Sequence, residues 1–263
     1  MSANSLGKAL ITGASTGIGA VYSDRLAKQG YDLILVARSA DKLEALSKKL
    51  IAATGRSVEV LPADLTNVHD VRAVEDVLKS DKNISLLINN AGAGGVKPLL
   101  DSDVDDMEKM ITLNITALTR LTYAAVPGFI ARGRGTIINI ASVVAIAPEL
   151  LNGVYGSSKS YVLSFSHSLN HELADKGIRV QAVLPGATAT DFWSIAGKPV
   201  EELPQSIVMS TDDMVDAALA GLKNGECVTI PGLHDVEKWT GFEAARGELS
   251  TLFGNSKPAA RYL

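Results

Sequence analysis

At 263 residues, with 46% apolar and 21% charged side chains, the chain has ample material for a buried core. A net charge of −4 leaves no basic surplus to neutralise nucleic-acid phosphates, and a single cysteine excludes a disulfide framework or a cysteine-based zinc site. The first six residues lack the basic-then-apolar pattern of a leader, and no uncharged apolar run is long enough for a bilayer, so the sequence reads as a soluble, cytoplasmic protein without nucleic-acid or membrane partners.

Short apolar, β-branched runs alternate with segments of helical spacing from the N-terminus almost to the end. Strands are expected over 9–12, 32–37, 58–61, 86–89, 136–140, 180–184 and 228–230. Helices are expected between them, over 17–29, 41–53, 67–79, 104–130, 154–176 and 211–224. Most of the strands lack a period of two, as strands covered on both faces do. The alternation implies right-handed crossovers and a doubly wound, Rossmann-type α/β fold: a parallel sheet of about seven strands with helices on both faces.

Along this order the first chemistry-bearing feature is the turn Thr12-Gly13-Ala14-Ser15-Thr16-Gly17-Ile18-Gly19, between the first strand and the first helix. Glycines there allow unusual backbone angles and close approach of a phosphate, and the helix N-terminus offers free N–H groups to a pyrophosphate. The second strand ends in Ala37 and Arg38, with no acid until Asp41. A site for NAD places an acid here to hold the ribose 2′-hydroxyl, whereas a guanidinium grips the 2′-phosphate of NADP. The pattern favours NADP(H) over NAD(H); Arg38 as a plain solvated residue is the alternative. Ser15 and Thr16 add hydroxyl donors from the turn.

Asp101 to Glu108 is acidic and lies directly ahead of a helix, where capping accounts for it better than a cation site. His167 and His171 are four apart, but no HExxH pattern accompanies them, and no metal is expected. Tyr155 and Lys159 are also four apart and share a helix face. Alone the pair means little; it follows a strand whose end carries Ser142. The stretch 185–205, with Phe192, Trp193 and Ile195, lies beyond the sixth strand where open sheets bind ligands, and reads as a substrate lid at about 186–205 within one domain spanning 1–263. Cys227 reads as a small apolar residue of a short buried strand, and the segment past Gly232 as a helix and tail.

The motifs taken together resemble the short-chain dehydrogenase/reductase family, in its single-domain short branch. They are TGASTGIG at 12–19, Asp64, NNAG at 89–92, Asn114, Ser142, YGSSK at 155–159 and PGATAT at 185–190, in that order, and the resemblance covers about residues 8 to 230. It implies a proton-transfer role for Tyr155, with Lys159 stabilising phenolate and holding the nicotinamide ribose, Ser142 holding the substrate oxygen, and Asn114 supporting a water-linked path to Lys159. It also implies that Asp64 meets the adenine edge and that Asn90, Ala91 and Gly92 line the adenosine side. Pro185, Gly186, Thr188 and Thr190 would fix the carboxamide. The expected substrate is a ketone, aldehyde or 3-oxoacyl compound, with Phe192 and Trp193 against it. The family further implies a homodimer or homotetramer, to which Met107, Met110, Ile111, Leu118, Leu121, Tyr161, Val162, Phe165 and Leu169 offer surplus apolar surface. An NADP-binding regulator or scaffold without turnover is the alternative, disfavoured by the intact Ser142, Tyr155 and Lys159.

Overall fold

The structure, a computed structural model, describes residues 6–263. The N-terminal residues 1–5, read above for a leader, lie outside the described residues. Seven strands form one parallel sheet in the order β3-β2-β1-β4-β5-β6-β7. They are β1 (Lys8–Thr12), β2 (Asp32–Ala37), β3 (Val58–Pro62), β4 (Ile84–Asn89), β5 (Gly135–Ile140), β6 (Ile178–Val183) and β7 (Val228–Thr229). The connections carry helices α1 (Gly17–Gln29), α2 (Ala40–Thr54), α3 (Val68–Ser80), α4 (Val104–Ile111), α5 (Leu118–Ala131), α6 (Gly153–Leu173), α7 (Phe192–Ala196) and α8 (Thr211–Asn224).

Alternate strand residues face opposite layers. In β1, Leu10 joins Val74, Leu121 and Leu169 from α3, α5 and α6. Its neighbours Ala9 and Ile11 join Tyr22, Leu43 and Val215 from α1, α2 and α8. Both faces of the central strands are therefore dry, which explains their unbroken apolar runs. Each fully buried Leu or Ile contributes about 1.5–3 kcal/mol.

The strand order reverses between β1 and β4, and the crevice beyond their C-terminal ends is where an open sheet of this kind receives a ligand. Every functional candidate from the glycine turn to Thr190 follows a strand end or lies on a helix facing this edge.

Three expectations change. The helix expected over 104–130 is interrupted: Thr112–Ala117 forms a π-helical turn between α4 and α5. Apolar periodicity does not distinguish i→i+5 bonding from i→i+4, so the pattern carries no sign of it. The seventh strand is only two residues long, and Cys227, just before it, is exposed rather than buried; its backbone carbonyl accepts from Ala182 N at 2.9 Å while the residue itself stays at the surface. Ile195 is 78% exposed, so it does not face the interior with Phe192. The acidic stretch does cap its helix, with the Asp103 carboxylate accepting from Asp105 N at 2.8 Å.

By internal contact the chain forms a unit ending at Pro231 and a second from Gly232 to Leu263. The second contains helix α9 (Val236–Ser250), capped by Asp235, with Trp239 stacked on Phe242 at 5.4 Å and no buried residue. No helix among the described residues is long and apolar enough to cross a membrane.

Candidate active site

The glycine turn is held from behind by the segment after β4. The Thr12 hydroxyl donates to Ile88 O at 3.2 Å and accepts from Asn90 N and Ala91 N, each at 3.0 Å. The Asn90 amide donates to Thr12 O at 2.9 Å and Gly13 O at 3.1 Å. Gly13 and Gly17 have φ of +64° and +55°, a conformation in which L side chains are strained. Gly19 has a different role, since a β-carbon there would collide with the Gly13 carbonyl and the Asn90 amide. Asn90 thus braces the turn from its inner side, a contact that its place in an NNAG motif does not itself reveal.

The entrance to α1 suits an anion. Its N-cap, Thr16, makes no side-chain cap bond, and its first turn holds no acid. The N–H groups of Gly17, Ile18 and Gly19 are left for a ligand, and the helix dipole favours negative charge. Ser15 is half-buried and Thr16 exposed beside them. Arg38 is exposed at the end of β2. Asp64, half-buried after β3, accepts from the Thr66 backbone N–H at 2.9 Å and the Thr66 hydroxyl at 2.8 Å. The Thr66 N–H, more than the nearby Arg38 charge, holds the Asp64 carboxyl below its usual value. The residues present therefore fit a dinucleotide: a glycine cradle, uncapped helix donors, and a cation with no acid at the second strand end.

At the other side of the crevice, α6 presents Tyr155 and Lys159. Its start is fixed by Asn152, whose carbonyl oxygen accepts from Val154 N at 2.9 Å and Tyr155 N at 3.3 Å, and whose amide donates to Lys97 O at 2.8 Å. Sequence reasoning missed Asn152, although an Asn-Gly pair just ahead of a helical segment is an N-cap signal. Lys159 Nζ lies 5.8 Å from the Tyr155 ring centroid and donates to Ile140 O at 2.8 Å. Ser142, buried at the end of β5, donates to Pro185 O at 3.4 Å. Burial pushes the Tyr155 phenol up to about 12, against the opposing hydrogen bond of Ser142. Burial also pushes the Lys159 ammonium down to about 8.

Asn114 sits in the π-helical turn and clasps Ala93: its carbonyl oxygen accepts from Ala93 N and its amide donates to Ala93 O, each at 2.9 Å. The same amide donates to the Ser158 hydroxyl at 2.9 Å, which donates to Tyr155 O at 2.8 Å. The expected water-linked link to Lys159 is not a direct contact. Gly92 lies between the two, where a β-carbon would be 3.2 Å from Asn114 Oδ1 and 3.4 Å from Lys159 Nζ. Below them Asn89 donates to Asn139 Oδ1 at 2.9 Å, and Asn139 to the Ser166 hydroxyl at 2.9 Å, a buried chain that ties β4, β5 and α6 together.

The segment after β6 closes the crevice. Residues 187–189 bond to Met209 through Ala189 N and Met209 N, each at 2.9 Å, so the intervening stretch is pinned at its base. Buried Pro185 and Thr188, exposed Gly186 and half-buried Thr190 line the approach, and a β-carbon on Gly17 would meet Thr190 Cγ2 at 3.2 Å. Trp193 Nε1 donates to Thr188 O at 3.1 Å, and the Phe192 ring lies 5.6 Å from that of Tyr155.

Lys159 makes a checkable contribution to stability. Its proton is held to pH 10.5 in a free side chain but only to about 8 in the folded chain. The buried ammonium therefore costs stability below its unfolded value, a penalty absent above pH 10.5 and fully developed once pH falls through about 8. We expect the unfolding free energy of Lys159→Met, relative to wild type, to rise by about 2 kcal/mol as pH falls from about 9.5 to about 7. Urea titrations at the two pH values measure it; a constant difference contradicts it.

Comparison with known proteins adds the lineage. Residues 7–199 match the family described as short chain dehydrogenase. The chain is 36% identical over 186 residues to 17-beta-hydroxysteroid dehydrogenase type 3 of Rattus norvegicus, a match covering 69% of this chain and 60% of that protein. Thus the chain spans about three fifths of the length of the first curated relatives it matches. Among solved structures, a short-chain dehydrogenase from Sphingobium yanoikuyae in complex with NADPH is similar over 98% of this chain and 100% of its own, with 47% identity and a TM-score of 0.95. The bulky-bulky ketone specific alcohol dehydrogenase from Comamonas testosteroni is similar over 99% and 100%, with 42% identity and a TM-score of 0.91. The chain belongs to the short-chain dehydrogenase/reductase family.

Proposed function

We propose that this protein is an NADP(H)-dependent oxidoreductase that moves a hydride between nicotinamide and a carbonyl or secondary alcohol, on a ketone, aldehyde or 3-oxoacyl substrate. The observation that carries this reading is the buried grouping of Ser142, Tyr155 and Lys159 beside an anion-ready glycine turn. A bound nicotinamide dinucleotide supplies or accepts the hydride. The chain's own residues do the rest.

Gly13, Ser15, Thr16, Gly17, Ile18 and Gly19 hold the pyrophosphate side, and Arg38 takes the 2′-phosphate. Asp64, Asn90, Ala91 and Gly92 bound the adenosine side. Pro185, Gly186, Thr188 and Thr190 set the carboxamide end. Preference for NADP follows from Arg38 and the absence of an acid at the end of β2; a solved relative at 47% identity is an NADPH complex.

In reduction, Ser142 and Tyr155 hold the substrate oxygen, and the Tyr155 hydroxyl gives it a proton as negative charge develops. A phenol near 12 is still a stronger acid than the alcohol being formed, so the transfer runs downhill. The phenolate left behind is stabilised by the Lys159 ammonium, which keeps its proton at neutral pH. Asn114 holds the backbone at Ala93 and, through Ser158, the first turn of α6. Residues 186–205 form the lid, with Phe192 and Trp193 against the substrate.

We also infer a homodimer or homotetramer. Of the residues singled out for such a face, Met110, Leu118, Leu121, Val162 and Leu169 are buried within the chain, which narrows the argument. The outward apolar surface is carried instead by Tyr123, 70% exposed and stacked on Phe165 at 6.5 Å, with Ile111 and Ile130. Sedimentation at micromolar concentration tests it; a monomer mass contradicts it.

The test of function is a panel of aryl, alkyl and 3-oxoacyl carbonyl compounds, followed by the loss of NADPH absorbance. We expect turnover of apolar ketones; tight NADPH binding with no turnover on the panel would favour a regulator.

A further inference from the structure

The lid carries one contact that its sequence does not announce. Gly94 follows the NNAG segment, and a β-carbon placed on it would collide with the Phe192 ring. The ring is thus seated on a bare α-carbon 98 positions away in sequence. The same ring tilts at 42° against Tyr155, which is only 6% exposed. Its neighbour Trp193 is anchored through Thr188 O and meets Phe192 edge-on at 5.7 Å, whereas Phe192 has no polar anchor and is held by packing alone. Around this seat lie Met110, Val144 and Leu151, all apolar. A flat apolar group already lies against the Tyr155 ring, and it belongs to the protein.

We propose that Phe192 and Gly94 form a paired gate in which Phe192 occupies the subsite of a flat, bulky carbonyl substituent and turns aside to admit it. This rests on the carbonyl-reductase reading above. The Phe192 ring marks the size and chemistry of the group it stands in for: an aryl or similarly broad apolar substituent, resting on Gly94 without a side chain in the way. Small ketones leave Phe192 in its seat, where it excludes water from Tyr155. Bulky ketones displace it and recover the lost contacts with their own ring. Gly94 has no left-handed φ, so its lack of a side chain serves space rather than backbone conformation.

Two variants move selectivity in opposite directions. Gly94→Val fills the seat, and we expect the ratio of kcat/KM for 1-phenyl-1-pentanone over butan-2-one to fall about tenfold or more, equivalent to about 1.4 kcal/mol. Phe192→Ala empties the gate, and the same ratio should rise about tenfold, the equivalent change in the other direction. Thermal melts establish that each variant is folded. A binding readout separates the gate from the chemistry: Trp193 fluorescence in a Trp239→Phe background, titrated with 1-phenyl-1-pentanone in the presence of NADPH. If no carbonyl is reduced yet Gly94→Val weakens this titration about tenfold, again about 1.4 kcal/mol, the gate stands and the reductase reading falls. If both folded variants keep ratio and titration within about twofold of wild type, well under 1.4 kcal/mol, the gate is overturned.

Discussion

Tyr155→Phe lowers kcat for carbonyl reduction by about 10²–10⁴-fold while leaving NADPH affinity within a few-fold of wild type. The change removes one oxygen from a ring that is already buried among Met110, Val144 and Phe192, so packing survives. What is lost is the hydroxyl that meets Ser142 and lies near the Lys159 ammonium. Lys159 does not take over, because its Nζ donates to Ile140 O and lies 5.8 Å from the centre of the Tyr155 ring. Stopped-flow single turnovers with NADPH in excess read the chemical step directly. A variant that retains more than a tenth of the wild-type rate places the proton donor elsewhere.

If Arg38 takes the 2′-phosphate as proposed, we expect Arg38→Asp to shift cofactor use from NADPH towards NADH. Arg38 is exposed, so its removal leaves the core untouched. A charge-assisted, bidentate guanidinium–phosphate pair is worth up to about 3 kcal/mol, hence about 10²-fold in affinity for NADPH. The new carboxylate also repels the 2′-phosphate and can accept from the 2′-hydroxyl of NAD, so kcat/KM with NADH rises as that with NADPH falls. Parallel assays with the two dinucleotides check this. Unchanged NADPH kinetics would leave Arg38 as a solvated residue of the β2–α2 connection.

Much of this protein is written locally. α1 and α8 run from Gly17 to Gln29 and from Thr211 to Asn224 as the sequence pattern places them, since each is bounded by a start signal and a glycine with left-handed φ, Gly30 at +105° and Gly225 at +85°. β2 is likewise legible, being an apolar run between turn residues. The glycine turn and the Tyr155–Lys159 pair are legible because their chemistry demands residues close in sequence.

What stays hidden depends on distant partners. The Asn90 amide on Gly13 O, the Asn114 clasp on Ala93 and the chain from Asn89 through Asn139 to Ser166 join segments 21 to 77 positions apart. No spacing rule relates them. Phe192 on Gly94 is the extreme case, since a missing side chain leaves no pattern to read. The π-helical turn that aims Asn114 is invisible for another reason: it shifts backbone bonds without changing which residues are apolar. Cys227 reads as buried because it adjoins an apolar run, but β7 is the edge of the sheet and pairs only through Val228 and Thr229, so the side chain just before it is exposed. Asn152 is different. Its signal was present, and it positions the first turn of α6, hence Tyr155.

On the proposed reading, hydride passes from NADPH to a carbonyl carbon in this protein while Tyr155 supplies the proton. Transfer of label follows both atoms: incubation with an apolar aryl ketone and NADPH deuterated at both nicotinamide C4 positions, followed by mass spectrometry of the alcohol. We expect the alcohol formed by the wild-type chain to carry one deuterium on its carbinol carbon, and Tyr155→Phe to form no more than a trace of that alcohol in the same time. Tight NADPH binding with no deuterated alcohol from any ketone of the panel, or equal yields of deuterated alcohol from the two proteins, overturns that reading.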